Sequence, residues 1–225
     1  MCPYHPGCGH NLLFRACFGT PAQIWSRDEH YKRDLTTEFM FFALLRKGVN
    51  EELPSWPEVV VVFDGQDGSA QRKEADAGYK ANRPADSETL KPIRALPSVK
   101  AGLDLFAITR VEIDDAEADD VIATLAASCP ERDVLIASAG RGHIGQHPRR
   151  PRYRHKTAAA LLDGGLTLDD LPASGRLASR KGAAITSAWQ QVLTWRDMIR
   201  MNNQVPVPPE PSAAWRPRRC PALLK

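Results

Sequence analysis

Residues 59–65 read VVVVFDG, a run of four valines and a phenylalanine that ends in Asp64 and Gly65. A continuous β-branched run of this kind is typical of a strand buried on both faces, as strands of parallel sheets are. In such sheets, ligands gather beyond the carboxyl ends of the strands. Asp64 is therefore placed where a functional side chain is expected.

Further segments extend this strand into an alternation of strands and helices. Apolar residues at a spacing of three to four predict helices, and short apolar runs predict strands. The predicted helices are 34–52, with Asp34 as N-cap, 96–105 and 118–127, and the predicted strands are 59–63, 108–113 and 134–137. Residues 1–9 show no period and are predicted to be irregular. The alternation indicates an α/β fold with a central parallel sheet flanked by helices.

Composition divides the chain into three predicted regions. Residues 1–146 form the α/β domain, in which the polar, Pro-punctuated stretch 66–98 is long enough to be functional or mobile. Residues 147–201 form a smaller helical segment, with helices predicted at 156–162, 168–171 and 183–201. Residues 202–225 are rich in Pro and Arg, so we predict a disordered tail.

Cysteine content and hydropathy exclude several classes of protein. The five cysteines are Cys2, Cys8, Cys17, Cys129 and Cys220. A zinc site would need Cys2 and Cys8 with His5 and His10, but the spacing fits no common zinc pattern, so free thiols in a reducing compartment are favoured. The chain has no run long enough to span a membrane and no apolar signal region. The sequence therefore predicts a cytoplasmic protein with no membrane partner.

Charge is segregated along a chain whose formal net charge is only +3. Residues 114–120 read DDAEADD at the predicted start of a helix. Glu117 and Asp120 share a helix face, and Asp119 can turn toward a neighbouring strand end. The helix dipole favours an acidic residue there by about 0.3–1 kcal/mol. This effect would explain one or two of the five acidic residues. The alternative interpretation is an acidic helix start that is simply exposed to solvent.

A metal site formed by these acids with Asp64 is the favoured interpretation. Carboxylates held close together stay ionised only if a cation joins them, and hard oxygen ligands select Mg²⁺ or Mn²⁺. Such a site suits phosphodiester hydrolysis. Within 66–98, four basic residues are candidate phosphate ligands and Tyr79 is a candidate base-stacking residue, although a solvated charged loop is the alternative. The four are Arg72, Lys73, Lys80 and Arg83.

Several motifs together resemble a known family. VVVVFDG, GYKANRP at 78–84 and EADDVIATLA at 117–126 look like the 5′→3′ exonuclease domain of bacterial DNA polymerase I and related flap endonucleases. HNLLFRA at 10–16 and DLTTEFMFFALLRK at 34–47 are similar to stand-alone actinobacterial relatives. KTAAALL at 156–162 resembles the helix–three-turn–helix segment of the family, which grips duplex DNA. The resemblance covers about residues 9–201.

This resemblance implies a PIN-like 5′-nuclease fold with a mobile arch, at about residues 66–98, over the active site and a reduced helix–three-turn–helix segment. It implies DNA with 5′ flaps, nicks or branches as the partner, Mg²⁺ or Mn²⁺ as the cofactor, and no organic cofactor. The residues that match the metal-site carboxylates of the family are Asp64, Glu117, Asp119 and Asp120. Lys80 and Arg83 match catalytic residues at the base of the arch, and the implied DNA contacts are Arg72, Lys73, Tyr79, Lys80, Arg83, Lys156 and Thr157.

The sequence departs from the family pattern at several positions. Cys8 replaces an aspartate at the end of the first strand, Gly140 and Gly142 replace two acids after the third, and an acidic block is missing between about 146 and 156. We therefore predict a nuclease with impaired turnover. The alternative is a branched-DNA-binding protein that does not cut, and an RNase of the related toxin-like fold is disfavoured by KTAAALL. An error or deletion in the gene would also explain residues 1–8 and 143–155.

Overall fold

A computed structural model describes residues 4–28, 30–52, 58–81, 86–88, 90–130, 134, 136 and 159–207, with only the backbone at 4–7, 51–52 and 181. The chain divides into two compact units, Met1–Gly140 with Met201–Lys225, and Arg141–Arg200. The predicted strand at 134–137 and the start of the helix predicted at 156 lie largely outside the described residues. None of the described helices is long and apolar enough to cross a membrane.

A parallel sheet lies at the centre of the first unit, as predicted. Its described strands are β1 (Tyr4–Cys8), β2 (Glu58–Asp64) and β3 (Thr109–Ile113), in the order β1-β2-β3. Cys8 pairs with Val62, and Asp64 pairs with Ile113. The register therefore brings the carboxyl ends of all three strands to one edge of the sheet.

The prediction that residues 1–9 are irregular was wrong, because Tyr4–Cys8 pairs with β2 as a parallel strand. Strand pairing is made by backbone groups, so it does not require the side-chain alternation that the sequence lacks. Within the described sheet β1 lies at an edge, where Pro6 is tolerated because its missing N–H need not meet a neighbour.

Six helices of the described chain belong to the first unit: α1 (Gly9–Phe18), α2 (Thr36–Glu52), α3 (Ala70–Ala75), α4 (Lys91–Arg94), α5 (Leu96–Leu105) and α6 (Ala118–Ser128). The prediction of α5 is confirmed at both ends, and α6 is one residue longer than predicted. Asp34 stabilises the start of α2, since its carboxylate accepts the backbone N–H of Thr36 at 2.9 Å. The polar stretch 66–98, in which no helix was predicted before residue 96, contains α3 and α4.

Apolar side chains cover both faces of β2, which confirms the prediction made from its valine run. Val61 and Phe63 pack on one face with residues from α1, α2 and α5, whereas Val60 and Val62 pack on the other with α6. Alternate side chains of a strand point to opposite faces, so β2 serves both cores. The strand is thereby fixed, and Asp64 at its end has a defined position.

The predicted tail begins inside this second core. Val205 is 7% exposed and packs with Val60 and Val62. Its backbone N–H donates to the Thr124 hydroxyl at 3.1 Å. Residues 202–207 are thus ordered against α6, contrary to the prediction, because two valines in the Pro-rich segment supply apolar surface to bury. Residues 208–225 lie outside the described residues.

The second unit contains two short 3₁₀ helices, Asp163–Gly165 and Arg176–Ala178, followed by α7 (Arg180–Ser187) and α8 (Trp189–Ile199). The helix predicted over 183–201 is interrupted at Ala188. It also begins earlier than predicted, because the Ser179 hydroxyl accepts the backbone N–H of Gly182 at 3.1 Å and caps the first turn. Residues 168–171 form a turn rather than the predicted helix. The carboxylate of Asp170 accepts the backbone N–H of Thr167 at 2.8 Å, a local bond that favours a turn.

Candidate active site at the carboxyl end of the sheet

Asp64 links the end of β2 to the start of α6. Its Oδ1 accepts the backbone N–H of Ala118 at 2.9 Å. His10 Nδ1 lies 3.1 Å from the backbone nitrogen of Asp64 and 3.3 Å from its Oδ2. Burial raises the pKa of Asp64, but hydrogen bonds with His10 and Ala118 outweigh it and hold the pKa at about 2. Asp64 is therefore ionised at neutral pH.

The glycine after Asp64 permits the close approach of two loops. The N–H of Gly65 donates to the carbonyl of Ala116 at 3.0 Å, and that of Asp67 to the carbonyl of Asp114 at 2.8 Å. A Cβ on Gly65 would lie 1.8 Å from the carbonyl oxygen of Ile113. Only glycine fits at this distance, so the FDG sequence brings the acidic loop against the end of the strand.

Glu117, the N-cap residue of α6, is buried and surrounded by donors. Lys80 Nζ lies 2.6 Å from Oε1, and Arg72 Nη1 lies 2.8 Å from Oε2. The Tyr79 hydroxyl donates to Oε2 at 3.0 Å. Lys80 has a φ of 55°, a left-handed conformation that is uncommon outside glycine and is often found at functional sites. Both oxygens of Glu117 are thus engaged.

Asp120 is held by the same guanidinium and by the segment after α8. Arg72 Nη2 and the backbone N–H of Asn202 each lie 2.8 Å from its Oδ1. Arg72 therefore bridges Asp120 and Glu117, which confirms the prediction that these two acids share one face. The contact from Asn202 was not predicted, since no motif marks it.

Asp119 stands between these residues but differs from them. Its side chain is exposed, and it forms no hydrogen bond or ion pair with another residue in the described ranges. Partial burial of the carboxylate, together with the negative charges of Asp64 and Glu117, raises its pKa. The charge of Asp64 acts on Asp119, so the two carboxylates lie near each other.

The structure thus brings seven of the predicted site residues together: Asp64, Arg72, Tyr79, Lys80, Glu117, Asp119 and Asp120. Lys73 lies exposed on α3. Arg83, Lys156, Thr157, Gly140 and Gly142 lie outside the described residues. The role of each predicted residue stays a prediction. His10 was not predicted as a partner of Asp64, although it begins the HNLLFRA motif.

Most of the first unit matches a known protein family. Residues 8–144, more than half of the chain, match the model of the 5′-3′ exonuclease, N-terminal resolvase-like domain. The chain belongs to this family. The match begins at Cys8, at the end of β1, and includes the Asp64 strand, α3 and the acidic start of α6.

Relatives of this exonuclease-family chain carry names from DNA replication. DNA polymerase I of Thermus caldophilus is 36% identical over 136 residues, covering 59% of this chain and 15% of the relative. DNA polymerase I of Bacillus subtilis is 32% identical over 162 residues, covering 71% of this chain and 17% of the relative. The 5′-3′ exonuclease of Aquifex aeolicus is 33% identical over 128 residues, covering 57% and 41%. The chain therefore spans a minor part of the length of these relatives.

A solved structure of the T5 D15 protein, co-crystallised with metal ions, aligns with a TM-score of 0.40 and 16% identity, covering 61% of this chain and 48% of that one.

Cys8 stands at the end of β1, beside the end of β2. Burial raises the pKa of its thiol to about 11, and the neighbouring charges of Asp64 and Asp119 act in the same direction. The thiol is therefore protonated at neutral pH, although only a thiolate is a good metal ligand. In this member of the exonuclease family, the residue at the end of the first strand faces the carboxylates without adding a negative charge.

Within the described ranges, no group of three or more His, Cys, Asp or Glu side chains lies close enough together to hold a metal ion. The donor set explains this result, because Glu117 and Asp120 already accept from Arg72 and Lys80. Arg72 and Lys80 therefore balance the negative charge of Glu117 and Asp120.

Proposed function

We propose that this exonuclease-family domain binds DNA at 5′ ends, flaps or nicks and hydrolyses phosphodiesters there with Mg²⁺ or Mn²⁺, in the cytoplasm. One observation carries the proposal: carboxylates from the end of β2 and the start of α6 meet beside Arg72 and Lys80. Carboxylates suit hard divalent ions, and basic side chains suit DNA phosphates. The printed names of the relatives support DNA as the substrate.

The proposed roles follow from chemistry and position. Lys80 and Arg83 would contact the phosphate at the scissile bond, and Arg72, Lys73 and Tyr79 would contact the 5′ strand. Lys156 and Thr157 would contact the duplex backbone. Asp64 and Asp119 have no Lys or Arg within ion-pair distance in the described chain, so they are the first candidates to receive a metal ion.

We propose that turnover is impaired relative to the family pattern. Cys8 supplies a protonated thiol at the end of β1, and Glu117 has both oxygens occupied. Each 1.36 kcal/mol added to the barrier lowers the rate about tenfold. A loss of only a few kcal/mol of transition-state stabilisation would therefore slow hydrolysis by orders of magnitude.

A second candidate function is binding of branched DNA without cleavage. The ion pairs of Glu117 and Asp120 favour it, because a site whose acids are already neutralised needs no metal to be stable. If a DNA phosphate drew Arg72 and Lys80 out of these ion pairs, the two basic side chains would still bind the DNA backbone.

A labelled 5′-flap substrate distinguishes the two candidates. Cleavage with Mg²⁺ or Mn²⁺ that is lost in Asp119→Ala and retained in Asp104→Ala would support the nuclease. Asp104 is a matched control, since it is exposed and pairs with Arg110 outside the acidic cluster. A salt-dependent mobility shift without product in the wild type would select the binding protein. Neither shift nor product would contradict both.

A further inference from the structure

We propose that Arg72 is an internal counter-ion of Glu117 and Asp120, and that it must leave them before a divalent ion can bind these two acids. The inference rests on the proposed function, because it concerns the same acids. It goes further by assigning to an arch-side arginine control over when the site can accept a metal ion.

The geometry of Arg72 differs from that of a surface ion pair. Its two terminal nitrogens each lie 2.8 Å from a carboxylate oxygen, Nη1 from Glu117 and Nη2 from Asp120. The three side chains are 14%, 8% and 9% exposed, respectively. A planar guanidinium that joins two buried carboxylates is well suited to hold both in one orientation. Arg72 therefore fixes the two acids as one unit.

A metal ion and Arg72 compete for the same oxygens. An oxygen that coordinates Mg²⁺ lies about 2.0–2.1 Å from the ion. Coordination of Glu117 Oε2 and Asp120 Oδ1 would place a dication within a few ångströms of the guanidinium. Like charges at that separation repel strongly where the surroundings are shielded from water. Occupancy by one cation therefore excludes the other.

This competition couples metal binding to DNA binding. Guanidinium groups also bind phosphates, so a DNA phosphate that attracts Arg72 would leave Glu117 and Asp120 without their counter-ion. Two unbalanced acids bind a divalent ion more tightly than two balanced ones. The coupling is reciprocal, because each ligand must raise the affinity for the other by the same factor. Lys80 acts similarly through its ion pair with Glu117.

Calorimetric titration of the full chain with Mn²⁺ in the absence of DNA tests the competition. We expect Arg72→Gln to bind Mn²⁺ about tenfold more tightly than the wild type, a change typical of coupled sites. Arg110→Gln is the matched control, because Arg110 pairs with the exposed Asp104 away from the cluster. Its Mn²⁺ affinity should equal that of the wild type. Equal affinity of Arg72→Gln and the wild type, or no binding by either, would overturn the proposal.

Two further measurements keep the test independent of folding and of activity. If Arg72→Gln does not fold, Arg72→Lys removes the two-carboxylate bridge while keeping the charge, and a smaller gain in Mn²⁺ affinity is expected. A nuclease-resistant 5′-flap oligonucleotide should raise the Mn²⁺ affinity of the wild type and raise that of the arginine variant much less. Equal increases in both would contradict the coupling. Failure to cleave DNA would sink the proposed nuclease but would not alter the DNA-free titration.

Discussion

The acidic cluster has two halves that differ in their surroundings. Glu117 and Asp120, the buried pair, are 8% and 9% exposed and are neutralised by Arg72 and Lys80. Asp64 and Asp119, the exposed pair, contact solvent and have no Lys or Arg partner within ion-pair distance among the described residues. Three of these acids come from a single stretch of four residues. Motif spacing therefore locates the cluster but does not reveal which acids the protein has already balanced.

The largest expected effect comes from the buried pair. Glu117→Gln leaves Arg72 and Lys80 without their carboxylate partner, so we expect the free energy of unfolding to fall by about 3–5 kcal/mol, measured by urea denaturation. Glu38→Gln is the control, since Glu38 pairs with the half-exposed Arg33 and should cost at most about 1 kcal/mol. Equal losses of unfolding free energy in Glu117→Gln and Glu38→Gln would contradict the assignment of Glu117 to a buried, charge-balanced pair.

The loop that holds the halves together gives the next effect. Gly65→Ala places a Cβ 1.8 Å from the carbonyl oxygen of Ile113, so the acidic loop must move. We expect a loss of about 1–3 kcal/mol on thermal or chemical unfolding. Gly48→Ala in α2 meets no atom within 4 Å and should stabilise the protein by about 0.5–1 kcal/mol. A neutral Gly65→Ala would show that the close approach is not required.

Acid titration separates the members of the exposed pair. The folded pKa of Asp64 is about 2, below the ordinary value of 3.8, so its ionised form stabilises the protein above about pH 4. That stability is lost as the pH falls through 2, and screening of this 40% exposed group limits it to about 1 kcal/mol. In Asp64→Asn, the free energy of unfolding should therefore change less between pH 4 and pH 2 than it does in the wild type. An unchanged slope would contradict the assigned hydrogen bonds.

Asp119 should have the smallest effect on stability. Its pKa is raised, by partial burial and then by repulsion from Asp64 and Glu117, so its charge opposes folding at neutral pH. We expect Asp119→Asn to change the free energy of unfolding by less than about 0.5 kcal/mol, in the stabilising direction. Urea denaturation at pH 7 measures this. A loss above 1 kcal/mol, roughly twice that bound, would place Asp119 with the buried pair.

Sequence patterns predicted the elements that bury a regular apolar face. The helix α5 and the strand β2 were found because side-chain period and burial coincide there. The strand β1 was missed because backbone pairing leaves no mark on its side chains. Val205 was missed because two valines in a Pro-rich segment carry no period, although the fold buries one of them.

The same limit applies to the site. The motif EADD and the FDG sequence predicted which acids meet, because both stand at element boundaries with fixed geometry. The arginine that neutralises two of them is 45 and 48 residues away from its partners in sequence, on a helix that the pattern did not predict. Long-range ion pairs depend on tertiary placement, so they became visible only in the folded structure.

A double-mutant cycle between Arg72 and Glu117 measures whether the protein balances its own buried acids. The free energy of unfolding is measured for the wild type, Arg72→Gln, Glu117→Gln and the double variant. We expect that the two losses are not additive and that the coupling is about 2 kcal/mol, since each variant removes the same interaction. Losses that add to within about 0.3–0.5 kcal/mol would contradict it.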